Sequence, residues 1–266
     1  MSRALLIAVT LALCGALPGA GTGTALGATT ATMSATFTPN RLGAATTLSF
    51  SFQIAAGGAA PALLTGVDFR YPANLGIATS GLGVASCPVA AIEAHGPSIC
   101  PPDSRMGSGS ALVEIPIGSD LVRETAQVAL LAGPSQNGYV HLLASVTGES
   151  PVAARVVLST QLQPGLLQIP IPPIPSLPEA PYVAVVRMHL TIGGQLTYYE
   201  PVHGKERAYH PVGIGIPRTC PRRGFPFSAS FTFLDGGHAQ ARTAVACPPR
   251  PPGARQKTPQ TPGNTS

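Results

Sequence analysis

Cys220-Pro-Arg-Arg-Gly-Phe225-Pro-Phe-Ser-Ala-Ser-Phe-Thr-Phe233-Leu-Asp235-Gly-Gly-His238-Ala-Gln-Ala-Arg-Thr-Ala-Val-Ala-Cys247 is the stretch from which the architecture of this chain is read. Phe225, Phe227, Ala229, Phe231 and Phe233 alternate with smaller or polar residues. Ala239, Ala241, Thr243, Val245 and Cys247 continue the odd-numbered face beyond Asp235-Gly-Gly. Period-two alternation on both sides of such a turn predicts a β-hairpin. Opposed residues of an antiparallel pair share a face, so odd must oppose odd. The predicted register sets Phe233 opposite Ala239, with Asp235-Gly236-Gly237 as a three-residue turn carrying a left-handed glycine. Four phenylalanines on one face require a second sheet to bury them.

Upstream, the same alternation recurs. Leu48, Phe50, Phe52 and Ile54 share one face, as do Leu63, Val67, Phe69 and Tyr71. Apolar runs at 111–117 and 122–132, then strands at 139–147, 152–160 and 182–192, follow with turn signals between them, the strongest being Gly133-Pro-Ser-Gln-Asn-Gly138. The predicted fold is all-β: an antiparallel β-sandwich of about ten strands with one short helix near Pro88 to Ala94. Gln161 to Pro181 contains seven prolines interleaved with Leu and Ile. Proline cannot donate to a ladder, so this segment is expected to be an extended, Pro-rich crossover packed across a sheet edge. It also offers a boundary between two subdomains as the alternative to a single sandwich.

The first 28 residues have the layout of a signal peptide, with Arg3 ahead of an apolar run from Ala4 to Leu17 and then small residues. Leu11-Ala-Leu-Cys14 superficially resembles a lipobox, but Leu13 occupies the place of the small residue that a lipoprotein signal wants. The mature domain is expected to be 29–247, followed by a disordered, basic, Pro-rich tail at 248–266 without a Leu-Pro-x-Thr-Gly sorting signal. No other segment is long and apolar enough to span a membrane. The expected compartment is therefore extracellular, as a secreted or wall-associated protein.

The formal charge of +5 does not mark a nucleic-acid binder. Arg3 and the tail residues Arg250, Arg255 and Lys257 carry most of it, leaving the expected domain close to neutral. Catalytic signatures are equally weak. Asp103-Ser104 with His95 upstream supplies the residue types of a hydrolase triad, but no Gly-x-Ser-x-Gly elbow frames the serine, and a turn after Cys100-Pro-Pro accounts for both residues. Glu200 and Glu206 lack the alternating strand that would aim two carboxylates into one cleft. The six histidines are scattered, so no metal and no cofactor are expected. Tyr198 to His210 is the most polar and aromatic stretch, and Tyr198, Tyr199, His203, Arg207 and Tyr209 are the first candidates for a ligand surface. The bland reading of the same stretch is a loop joining two strands.

Four cysteines follow the signal, an even count suited to an oxidising compartment. Local geometry predicts Cys87 with Cys100, across a compact helical excursion, and Cys220 with Cys247, across the closing hairpin. Cys100-Pro-Pro-Asp-Ser104-Arg-Met-Gly107 resembles the Cys-Pro-x-x-Ser-x-x-Gly signature of uncharacterised secreted β-rich proteins of high-GC Gram-positive bacteria. The Cys220–Cys247 ending resembles their closing hairpin, and fourteen Arg against two Lys fits such a genome. That resemblance implies fold and compartment, not activity. The expected function is an exported, non-catalytic surface or cell-envelope binding module, its partner a cell-wall polymer or surface protein. The alternatives are an extracellular hydrolase with an unrecognised site and a purely structural surface protein.

Overall fold

The computed structural model describes residues 29–57, 62–77, 85–117, 119–174, 182–193, 197–210 and 213–249. The expected signal peptide (1–28) and tail (all but its first two residues) lie outside them. Within them the chain is all-β with one short α-helix, as its alternation predicts. The strands are β1 (Thr30–Thr38), β2 (Ala45–Ala55), β3 (Leu64–Arg70), β4 (Gly76–Ile77), β5 (Arg105–Ile117), β6 (Asp120–Gln136), β7 (Tyr139–Thr147) and β8 (Arg155–Gln163). They continue with β9 (Leu166–Pro170), β10 (Ala184–Gly193), β11 (Tyr198–Val202), β12 (Lys205–Tyr209), β13 (Ile214–Gly215), β14 (Phe225–Phe233) and β15 (His238–Val245). The helix is α1 (Val89–His95), with Pro88 as its N-cap.

One antiparallel sheet runs β15-β14-β3-β9-β8-β7-β6-β5-β10-β2, with β1 on the far side of β2. It rolls up until β1 lies beside β15, with Cα atoms within 8 Å. Asn40 Nδ2 donates to the Ala246 carbonyl at 2.9 Å just beyond this seam. The result is a flattened, nearly closed barrel whose two walls pack face to face like the layers of a sandwich. All eight phenylalanines of the chain point into it. Phe52 meets Phe231 at 4.9 Å between ring centroids, Phe50 meets Phe69 at 4.8 Å, and Phe37 meets Phe225 edge-on at 5.6 Å. The surface that buries the closing hairpin is therefore the Phe face of β1, β2 and β3. Each ring contributes about 1.5–3 kcal/mol by leaving water.

The outside is polar. Thr32, Ser34, Thr36, Gln53, Ser108, Thr125 and Gln127 stand exposed on strands whose alternate residues fill the core. A membrane-spanning barrel has the opposite pattern, apolar outward and polar inward. One exception is the outer face of β6 and β7, where Leu131 and Leu143 are buried beneath Ile92 of α1 and the Cys87–Cys100 bridge. Gly107 and Gly109 let the backbone of β10 approach β5 closely. A Cβ at these positions would fall 2.2 Å from the Thr191 carbonyl oxygen and 2.0 Å from that of His189.

The structure corrects several sequence expectations. The hairpin register is two residues from the predicted one: Phe231, not Phe233, faces Ala239, and Phe225 faces Val245 rather than Cys247. Asp235 Oδ1 accepts the Gly237 N–H at 2.8 Å, an Asx turn that moves the loop to Leu234-Asp235-Gly236 and makes Gly236, at φ 81°, its left-handed residue. The stretch 161–181 is not wholly a crossover. Its first ten residues complete β8, turn at Pro164-Gly165 and form β9, which pairs with β3. Prolines fit there because Pro164 sits in the turn and Pro170 ends the strand. Residues 175–181 lie outside the described part. The strong turn at 133–138 is only its last two residues: β6 runs on to Gln136, and Asn137 and Gly138, at φ 53° and 79°, make a primed two-residue hairpin turn. Strand β1 has no counterpart in the sequence expectations.

Candidate binding cleft on the outer wall

The outer wall carries one polar cleft, of about 270 Å³, across β2, β10, β5 and β6. It originates in a strand irregularity. Along β10 the pairing with β5 shifts between Val185 and Arg187, so that Val186 is left without an opposite residue. Such a bulge re-aims side chains. Both Val186 and Arg187 line the cleft, with Arg187 opposite Gln53 on one side and Leu112 on the other. Two residues along β5, Glu114 faces Arg123 of β6. The turn after β2, Ala55-Ala56-Gly57, closes one end.

The polar groups converge unevenly. Glu114 Oε1 accepts from both Nε and Nη2 of Arg123, at 2.9 and 2.8 Å. The carboxylate side chain is only 9% exposed, whereas Arg123 is 69% exposed. Both of these bonds fall on Oε1, and among the described residues none falls on Oε2. Across the cleft, Arg187 Nη2 donates to Gln53 Oε1 at 3.3 Å. Leu112, Leu121 and Val186 supply an apolar floor. A carboxylate with one oxygen outside its arginine pair, an outward guanidinium and an apolar floor are the parts of a small-molecule or single-unit polymer site.

The residues singled out from sequence lie elsewhere. Tyr198, Tyr199, His203, Arg207 and Tyr209 belong to a two-stranded hairpin, β11–β12, outside the barrel sheet. The stretch is therefore a strand pair rather than a loop. Its register sets Tyr198 opposite Tyr209 and Glu200 opposite Arg207, and His203-Gly204, at φ 51° and 75°, forms the turn. Tyr199 is 62% exposed, and His203 and Arg207 are exposed beside it. The side chains of Tyr198 and Tyr209 lie outside the described residues. Glu206 pairs with Pro201, one step from the Glu200–Arg207 pair, so the two glutamates occupy positions of opposite faces.

The triad candidates are also placed. Ser104 is fully buried, and its hydroxyl donates to the Pro101 carbonyl at 2.6 Å, closing the turn between Cys100 and β5. His95 sits exposed in the last turn of α1. Both pairs of cysteines are joined, Cys87–Cys100 with Cα atoms 5.4 Å apart and Cys220–Cys247 at 5.8 Å. Two disulfides belong to a non-reducing compartment. Among the described residues no helix is long and apolar enough to cross a membrane.

No family model, no curated protein and no solved structure matches this chain. Sequence reasoning passed over the cleft because Glu114 lies inside an apolar run and Arg187 reads as one more outward residue of an alternating strand. A lone carboxylate in such a run was the available signal.

Proposed function

We propose that this chain is an exported, non-catalytic binding module of the cell envelope, and that its ligand seats in the outer-wall cleft. The observation carrying this reading is Glu114: a carboxylate buried on the outside of a barrel, one oxygen held by Arg123, lining a cleft shared with Arg187. A purely structural wall has no need of that arrangement, since burying a carboxylate costs free energy that apolar packing avoids. Against a hydrolase stands the use of Ser104 as a turn-closing donor. The interior cavity, about 50 Å³ and lined almost wholly by apolar side chains such as Met33, Val67, Leu130 and Leu142, lacks polar groups to recognise a ligand, so the outer surface is where polar binding chemistry is available.

The two disulfides and the signal-like leader support an envelope or extracellular setting. The resemblance of the Cys100–Gly107 motif to secreted proteins of high-GC Gram-positive bacteria supports the same compartment, where a cell-wall polymer is the proposed partner. Sedimentation with purified, insoluble cell-wall material tests the reading. The protein should co-sediment, and Arg187→Gln should release it while Arg207→Gln on the β11–β12 hairpin should not. Retention that depends on Arg207 and not on Arg187 overturns the cleft as the site.

A further inference from the structure

We infer that the cleft selects an acidic sugar unit, with its carboxylate on Arg187 and a ring hydroxyl donating to Glu114. This rests on the cleft being the binding site proposed above.

The first reason is charge. Arg123 and Glu114 neutralise one another through the two hydrogen bonds to Oε1. Arg187 is then the full charge left over among the cleft residues, its Nη2 donating to the neutral amide of Gln53. The cleft therefore carries one net positive charge and favours an anion. A guanidinium presents a planar fork that fits a carboxylate with two parallel hydrogen bonds. A cationic ligand would face two guanidinium groups, one of them unneutralised.

The second reason is the acceptor. Arg123 occupies only Oε1 of Glu114, which leaves Oε2 to a ligand, and an ionised carboxylate can only accept. A bare anion such as sulfate offers nothing to it and would meet it with like charge. A ligand that satisfies both ends carries its acid group and its hydroxyls on one compact frame.

The third reason is shape. Leu112 lies between the two polar ends on β5, with Val186 and Leu121 beside it, an apolar floor that suits the C–H face of a sugar ring. A volume of about 270 Å³ admits one ring and little more. Further units of a polymer have a continuation. Ser34, Ser51, His189, Ser110 and Gln127 are opposed in one cross-strand row next along the outer wall, offering hydroxyls, an imidazole and an amide.

Isothermal titration of the disulfide-intact protein with a glucuronate-containing tetrasaccharide and with a neutral glucose tetrasaccharide tests this. The acidic ligand should bind at least about tenfold more tightly, with affinity falling as salt rises. Arg187→Gln should abolish that preference without changing the far-ultraviolet dichroism. Glu114→Gln should weaken the acidic ligand by about tenfold or more. Equal binding of both sugars, or binding of neither, overturns the acidic-sugar inference. The reading of the cleft itself falls separately, if cell-wall retention is unchanged in Arg187→Gln.

Discussion

Glu114 and Arg123 face one another across β5 and β6, and a single carboxylate oxygen takes both arginine hydrogen bonds, at 2.9 and 2.8 Å. The partner charge is largely in water while the carboxylate is not. Arg123→Ala should therefore leave Glu114 buried without compensation. The exposure of the arginine discounts the loss to roughly 1–2 kcal/mol. Urea unfolding should show a lower midpoint with an unchanged slope, and Glu114→Leu on the same background should recover part of it.

Glu124, next to Arg123 but on the inner side of β6, is a loop staple. Its Oε1 accepts from the N–H groups of Glu149 and Ser150 at 2.7 and 3.0 Å, and Oε2 from that of Val152 at 3.1 Å. Glu124→Gln keeps one acceptor oxygen and should cost about 1–2 kcal/mol. Amide hydrogen exchange at residues 149–152 should accelerate by more than global stability accounts for.

Tyr71 donates its hydroxyl to the Gln163 carbonyl at 2.5 Å. Burial pushes its pKa above the ordinary 10, partly offset by the backbone at Gly165. The folded state then holds a proton that the unfolded chain releases near pH 10. This contribution to stability is complete below pH 10 and is lost as pH rises through the higher folded value. Tyr71→Phe should cost about 1 kcal/mol at neutral pH and flatten the alkaline fall in melting temperature above pH 10. An unaltered alkaline fall would assign it to other groups.

The Cys87–Cys100 bridge ties α1 over Leu131 and Leu143, an apolar spot on the outer wall. Replacing both cysteines by serine should lower stability by about 3 kcal/mol in the chain-entropy view. Exchange should rise first in the neighbouring parts of β6 and β7, with β14 and β15 unaffected. Uniform acceleration across the barrel would mean that α1 is not an independently releasable cover.

What could be read from the sequence follows from side-chain size. Phenylalanines at period two declared β2 and β14 and the need for a facing layer, Val67, Phe69 and Tyr71 marked β3, and β7 begins and ends where alternation put it, at Tyr139 and Thr147. β1 escaped because its inward residues are Ala31, Met33, Ala35 and Phe37, of which two are too small to mark a face. β9 was hidden by prolines that stand at its ends. The hairpin register turned on one side-chain hydrogen bond, Asp235 to Gly237, which alternation cannot reveal. The cleft was illegible for a related reason. It depends on a bulge at Val186, and a one-residue shift in strand pairing leaves no mark in a single sequence. The aromatic stretch drew attention instead, through residues that the fold places on a separate hairpin.

Backbone amide chemical-shift mapping, with the folded protein titrated by solubilised cell-wall polysaccharide, tests the proposed site most directly. The account predicts perturbations centred on Gln53, Leu112, Glu114, Arg123 and Arg187, with Tyr199 to Arg207 unmoved. Perturbations centred on the β11–β12 hairpin and absent from those five residues would contradict it.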